Sequence, residues 1–225
     1  MKRFLQQNAV FIGLSLALIA VLGAALIYIP KGDLHLLLCD RHTPARDIFY
    51  RYYTKVAEWF PYVVCIALLL FGRIGDGVFA SAAMIVSALT TQLFKSIINA
   101  PRPLTWFEAE FPDISLPLVE GVIMNHWRSF PSGHTTSFFA LAFVLCVIVT
   151  KKLSVVNSKW SVVLQALLWM LATLGAYSRI YLSQHFAADI FAGVVVGVLI
   201  TMVCFAVLQR FEGQKWYNYR VFTKK

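Results

Sequence analysis

The sequence predicts an all-α fold: an integral membrane bundle of six transmembrane helices, with a short interfacial cap segment between helices three and four. Three observations carry that expectation. First, 59% of the 225 residues are hydrophobic and only 14% are charged, against about 45–50% and 25% in a soluble domain. A soluble fold of this size would lack the polar side chains to cover its surface. Second, six apolar runs follow one another, each near the length a helix needs to cross the hydrocarbon layer. Third, these runs do not alternate apolar and polar residues, as barrel strands would, and open strands cannot satisfy their backbone in lipid.

The first run, about 9–29, follows Met1-Lys2-Arg3. Its apolar core is longer than the roughly 7–15 residues of a signal peptide, and no convincing A-x-A site follows, so an uncleaved span is expected. The second, about 57–72, is short, and its helix is expected to extend back through Lys55 and Glu58 into the interface. The remaining four fall at about 77–98, 133–150, 160–182 and 186–209. The stretch 101–131 carries Trp106, Phe107, Phe111, Ile114, Leu116 and Ile123, too many apolar groups for a solvated loop, and is expected to fold back as a short interfacial helix or an outer cap. Residues 1–225 are therefore read as a single membrane domain.

Charge sets the orientation. Of 20 basic and 11 acidic residues, the side holding both termini takes eleven basic and two acidic ones: Lys2, Arg3, Arg73, Lys151, Lys152, Lys159, Arg210, Lys215, Arg220, Lys224 and Lys225 against Asp76 and Glu212. The other side takes nine of each. Cytoplasmic termini are expected, with loops 1–2, 3–4 and 5–6 facing a periplasm or exterior. The net charge of +9 does not imply a nucleic-acid partner, because the positive residues fall between apolar runs rather than along one face. Cys39, Cys65, Cys146 and Cys204 form no CxxC pair and read as small hydrophobes. His35 and His42, in the first outer loop, are expected to be solvated. Gly193 and Gly197 match GxxxG and are expected to pack within the bundle.

Ionisable groups beside or inside spans are costly and need a reason. Three clusters on the outer side stand out. In Lys95-Ser-Ile-Ile-Asn-Ala-Pro-Arg102-Pro103, two cations seven residues apart share a helix face and repel unless an anion sits between them; as interface anchors they would need no ligand. In Phe130-Pro131-Ser132-Gly133-His134, a turn precedes a helix whose first N–H groups are free and electropositive. Gly133 lets an anion approach the backbone and Ser132 offers a hydroxyl, although Ser132 could equally cap the helix. In the third, Ser178-Arg179 through His185 to Asp189, the last two lie four apart on one helical face. A carboxylate on one imidazole nitrogen fixes the tautomer and makes the other a better nucleophile or base. Three cations suit the oxygens of a phosphoryl group, one histidine suits attack at phosphorus, and the other suits proton delivery. Charge and spacing do not decide which histidine attacks, but only His185 has a carboxylate four residues away.

K-x6-R-P, P-S-G-H and S-R-x5-H-x3-D, in this order, resemble the three-part signature of the type 2 phosphatidic acid phosphatase superfamily. The resemblance implies a helical bundle with a phosphohydrolase site, free of metal and cofactor, at the outer membrane boundary. It implies that His185 forms a phosphohistidine, that Asp189 orients it, and that His134 protonates the leaving oxygen and then activates water. Lys95, Arg102 and Arg179 would hold the phosphoryl oxygens, helped by Ser132 and the Gly133 N–H. His126 and Arg128 are possible headgroup contacts, and Asn99 and Ser96 possible supporting donors.

The expected function is hydrolysis of a lipid phosphate at the outer leaflet of a bacterial inner membrane. The lipid would be undecaprenyl diphosphate, phosphatidylglycerol phosphate, phosphatidic acid or a phosphate of lipid A. A phosphotransferase of the same fold would pass the group to another acceptor. A transporter would place ionisable residues near the span centres, which here are almost uncharged.

Overall fold

The computed structural model describes residues 2–153 and 159–222, with only the backbone at Lys152 and Leu153; Lys224 and Lys225 of the charge count lie outside the described residues. The regular structure of the described residues is helical: α1 (Lys2–Gln7), α2 (Ala9–Tyr28), α3 (Lys31–Cys39), α4 (Pro44–Tyr53), α5 (Val56–Phe71), α6 (Ile74–Ile98), α7 (Pro103–Glu110), α8 (Gly133–Leu153), α9 (Lys159–Tyr181), α10 (Ala187–Leu208) and α11 (Lys215–Asn218), with residues 111–132 free of helix. Six stretches are long and apolar enough to cross a membrane, carried by α2, α4–α5, α6–α7, α8, α9 and α10. The protein is an integral membrane helical bundle.

Local chemistry sets the helix ends. Thr43 accepts from Arg46 N at 3.4 Å, and Pro44 follows at the first helical position of α4. At Gly72, between α5 and α6, a Cβ would sit 2.5 Å from Leu68 O, so only glycine permits this turn. Asn99 ends α6 in the left-handed region at φ 41°. Asn and Gly tolerate that conformation, and Pro101 prevents the helix from continuing. The second span begins earlier than its apolar run suggests, because α4 continues the helical path outward from α5 through a short turn at Thr54–Lys55.

Helix α8 is central. It packs against α5, α6, α9 and α10, and 72% of its membrane-length window is buried, against 11% for α2. Its close contact with α10 depends on small residues: a Cβ on Gly193 would lie 2.8 Å from Thr135 Cβ and 2.9 Å from Ser132 O, and one on Gly197 would lie 2.8 Å from Thr136 O. The GxxxG pair thus packs within the bundle.

The connection between the first two spans is partly buried. Helix α3 tucks beneath the cap, and His35 is 1% exposed, its ring between Phe107 and Phe186 with centroids at 5.7 and 5.2 Å. His42 stacks on Tyr181 and places Nδ1 2.9 Å from Asp47 Oδ1. Both were expected in water; the hydrophobic pull of α3 and the aromatic cap buries one and half-buries the other.

Candidate active site

The three polar clusters come together where α6 ends, α8 begins, α9 ends and α10 begins. The turn after α9 carries Ser183, Gln184 and His185, all buried. It is tied back to the helix end by Gln184 N and His185 N, which donate to Arg179 O at 2.9 and 3.1 Å. Ser183 adopts φ 49° there, a conformation that non-glycine residues rarely take. Helix α10 then carries Asp189 in its first turn, where its Oδ2 accepts from Phe186 N at 2.9 Å. This is capping of free N–H groups by a carboxylate where the helix dipole favours one.

The same Oδ2 lies 3.2 Å from His185 Nδ1 and accepts from Ser129 Oγ at 2.5 Å. The carboxylate is therefore fixed from three directions, and the imidazole's Nε2 is left for other chemistry. His185 is also where the positive charges converge. Burial first, and then Arg102, Arg179 and Lys95, hold its imidazole well below the ordinary histidine value of 6.5. It is neutral at pH 7. The same three cations, with His185 itself, lie within electrostatic reach of His134.

Arg102 and Arg179 are anchored by a residue that charge and spacing did not single out. Gln184 Oε1 accepts from Arg102 Nη1 at 3.0 Å and from Arg179 Nη2 at 3.4 Å, and Gln184 O accepts from Arg102 Nη1 at 3.2 Å. Its amide Nε2 donates to Ile123 O at 3.2 Å. Arg102 Nε further donates to Trp127 O at 3.1 Å, and Arg179 Nη1 to Thr54 Oγ1 at 2.7 Å. Arg179 Nε is buried with no hydrogen-bond partner among the described residues. Such a donor is costly to leave unmet.

The remaining expected residues divide. Ser132 is fully buried and caps α8, accepting from Thr135 N at 3.4 Å and Thr135 Oγ1 at 3.0 Å. Gly133 opens the same helix with Thr91 Cγ2 as its nearest neighbour, 3.6 Å from a built Cβ. Arg128 is exposed at φ 60° and within electrostatic reach of Lys95. His126 is exposed, with Nδ1 2.9 Å from Thr105 Oγ1, and its carbonyl accepts from Arg102 N at 2.8 Å. Asn99 is an exposed helix terminus, and Ser96 spends its hydroxyl on Leu93 O at 2.8 Å. Ser129, Thr54, Gln184 and Glu58, whose Oε1 is 3.1 Å from His134 Nε2, were not among the expected site residues. Gln184 and Ser129 could have been suspected only from lying between or beside ionisable motif residues.

The site is thus a neutral, carboxylate-held histidine among fixed cations at one end of a membrane bundle. Residues 76–212 match the PAP2 superfamily, and the chain belongs to it. It is 28% identical to a lipid A 4'-phosphatase of Porphyromonas gingivalis, over 76% of this chain and 69% of that protein. It is 27% identical to lipid phosphate phosphatase gamma of Arabidopsis thaliana, over 58% of this chain. It spans about half the length of that plant relative, 53%. Among solved structures it resembles Aquifex aeolicus LpxE, with TM-score 0.60, 25% identity and coverage of 77% of this chain and 93% of that one. It shares its fold with a PAP2-type phosphatidylglycerolphosphate phosphatase from Bacillus subtilis, with TM-score 0.60 at 19% identity over 93% and 99% of the two chains.

Proposed function

We propose that the protein is a membrane lipid phosphatase that removes a terminal phosphate through a phosphohistidine on His185. The observation that carries this reading is the convergence of Lys95, Arg102 and Arg179 on a neutral, buried imidazole whose Nδ1 faces Asp189. In the first step Nε2 of His185 attacks phosphorus. The bond from phosphorus to the lipid oxygen breaks, and His134 gives that oxygen its proton. In the second step His134 takes a proton from water, the hydroxide attacks phosphorus, and the N–P bond breaks to release phosphate. Lys95, Arg102 and Arg179 stabilise the charge spread over the phosphoryl oxygens, and the unmet Nε of Arg179 gains a partner there.

A lipid substrate is favoured by a groove of about 290 Å³ between α5, α6 and α8, lined by Ala57, Pro61, Met84, Leu89 and Ser137. Ala57 adjoins Glu58, and Ser137 lies one turn along α8 from His134. An apolar tail can stay in the bilayer while its headgroup reaches the cations. Among the four lipid classes, a phosphorylated lipid A is the first to test, because bacterial relatives bear that activity in their names. The reading includes termini on the cytoplasmic side of a bacterial inner membrane and a site facing the periplasm.

A phosphate-release screen of purified protein against the four lipid classes in micelles tests the proposal. Release from at least one lipid, undiminished in excess chelator, is expected. His185→Ala should retain less than about a tenth of wild-type kcat, a loss above roughly 1.4 kcal/mol. Turnover that survives this substitution, or that needs magnesium, overturns the mechanism.

A further inference from the structure

The end of the bundle away from His185 carries a second group of cations. Arg3 of α1, Arg73 before α6, Lys151 of α8 and Arg220 of the C-terminal segment line one cavity of about 560 Å³, and Glu212 is the one carboxylate among its lining residues. Phe4, Val147 and Phe205 give it an apolar wall. Lys151 is seventeen residues along α8 from His134 (151 − 134), about 25 Å at helical rise, so the cavity is separate from the candidate active site.

Its walls are built. The C-terminal segment is docked on the start of α6: Ile74 N donates to Tyr219 O at 2.9 Å, and the buried Tyr217 ring lies against Gly75, where any Cβ would collide with it. This docking holds Arg220 at the cavity. Asp76 grips Arg73 through Nε and Nη2, both at 3.0 Å. Lys151 Nζ lies 2.7 Å from Glu212 Oε1 and 5.5 Å from the Tyr217 ring centroid. At the junction of α1 and α2, Asn8 is pinned by donation to Phe4 O at 2.9 Å and by accepting from Thr150 Oγ1 at 3.1 Å.

Basic residues on this side are expected from orientation alone, but that rule is met equally well by side chains that fan outward to lipid. It does not require four cations from four separated segments to line one concavity. Two of them are paired, to Asp76 and Glu212; Arg3 and Arg220 form no ion pair among the described residues. Four positive and two negative charges leave the cavity at +2.

We propose that this cavity binds a phosphate-bearing anion, supplied either as the headgroup of an anionic phospholipid in the leaflet on the side of the termini or as a free phosphate. Guanidinium forks match phosphoryl oxygens; a phospholipid diester brings a single negative charge, and free phosphate about −1.5 to −2 at pH 7. The apolar wall would receive the start of a lipid's glycerol and acyl chains.

The test compares wild type with Arg3→Gln/Arg220→Gln, which removes both unpaired charges and leaves both ion pairs. Phosphate release should stay within about twofold of wild type, since neither residue belongs to the candidate active site, and this reports correct folding. In the lipid arm, nanodiscs of phosphatidylcholine and phosphatidylglycerol are used, because phosphatidylglycerol offers no terminal phosphate to the outer site. Native mass spectrometry should show at least about fivefold less phosphatidylglycerol retained by the variant. In the free-anion arm, inorganic phosphate is added to detergent-solubilised protein at constant ionic strength. Its rise in melting midpoint should be smaller in the variant if free phosphate enters. Loss in the lipid arm alone identifies a headgroup site, and loss in both identifies a general phosphate site. Equal retention and equal melting shifts in the two proteins overturn the proposal. If the double variant fails to fold, Arg220→Gln alone is read in the same way.

Discussion

His134 Nε2 lies 3.1 Å from Glu58 Oε1, so both histidines of the candidate site face a carboxylate. The two pairs are not equivalent. Asp189 is 5% exposed at its side chain and Glu58 57%. An exposed pair is worth little and is screened by salt, so Glu58 holds the ring only weakly and, in the proposed mechanism, yields to an incoming phosphate. Glu58→Gln should lower kcat by less than about fivefold. Asp189→Asn, which disturbs the tautomer of a buried imidazole, should lower it by at least about a hundredfold. Steady-state turnover of the two variants in micelles measures both; equal losses would refute the asymmetry.

Gln184 joins Arg102 to Arg179 through one carbonyl oxygen. Gln184→Met keeps the bulk and removes that acceptor. Hydrogen bonds to charged groups are worth about 1.5–3 kcal/mol, so kcat/KM should fall at least about tenfold. Gln184→Glu keeps the acceptor but places a negative charge between the two guanidinium groups. It should raise KM for an anionic lipid more than it lowers kcat. A KM unchanged in both variants would show that the arginines hold their places without the clamp.

His35 makes stability depend on pH. Burial lowers its imidazole from 6.5 to about 4. Because the folded value lies below the unfolded one, the unfolded chain takes up the proton first as pH falls. The contribution of neutral His35 is complete above pH 6.5 and is lost down to about pH 4, on the order of 3 kcal/mol in all. Melting midpoints in detergent should therefore drop across that window, and His35→Gln should flatten the drop. An identical slope in the variant would sink this attribution.

Gly193 sets how closely α10 approaches the start of α8. Gly193→Ala would press a methyl group on Thr135 Cβ and Ser132 O at 2.8 and 2.9 Å. Overpacking of this kind costs about 1–3 kcal/mol. A lower melting midpoint is expected, together with reduced activity because Ser132 shifts. An unchanged midpoint would mean the helices part without strain.

The membrane spans were legible because lipid leaves the backbone so few options: a run of some twenty apolar residues has to be a helix. Of the short helices only α7 was foreshadowed, since an interfacial helix or cap was expected within 101–131; α3 and α4 were not. α3, α4 and α7 hold 9, 10 and 8 residues, and their form depends on packing at the interface rather than on span length. In the site, Lys95, Arg102, Arg179, His134, His185 and Asp189 stood out because charge beside a span is expensive. Gln184, Ser129 and Thr54 are neutral, carry no such penalty in sequence, and became visible only through what they touch. His35 misled for the opposite reason. Lying between two spans, it looked like a loop residue, and its burial depends on the cap folding over α3.

A backbone hydrogen bond of 3.0 Å runs from Ser132 N to Asp189 O, fastening the start of α8 to the start of α10. With Gly193 just beyond, these two helix mouths move as one block. His134, His185 and Asp189, the reacting groups of the proposed mechanism, sit on or beside that block, whereas Glu58 and the 121–128 stretch lie at its edge. On the proposed function, a change of headgroup would need alterations at the edge alone, with the shared block left as it is.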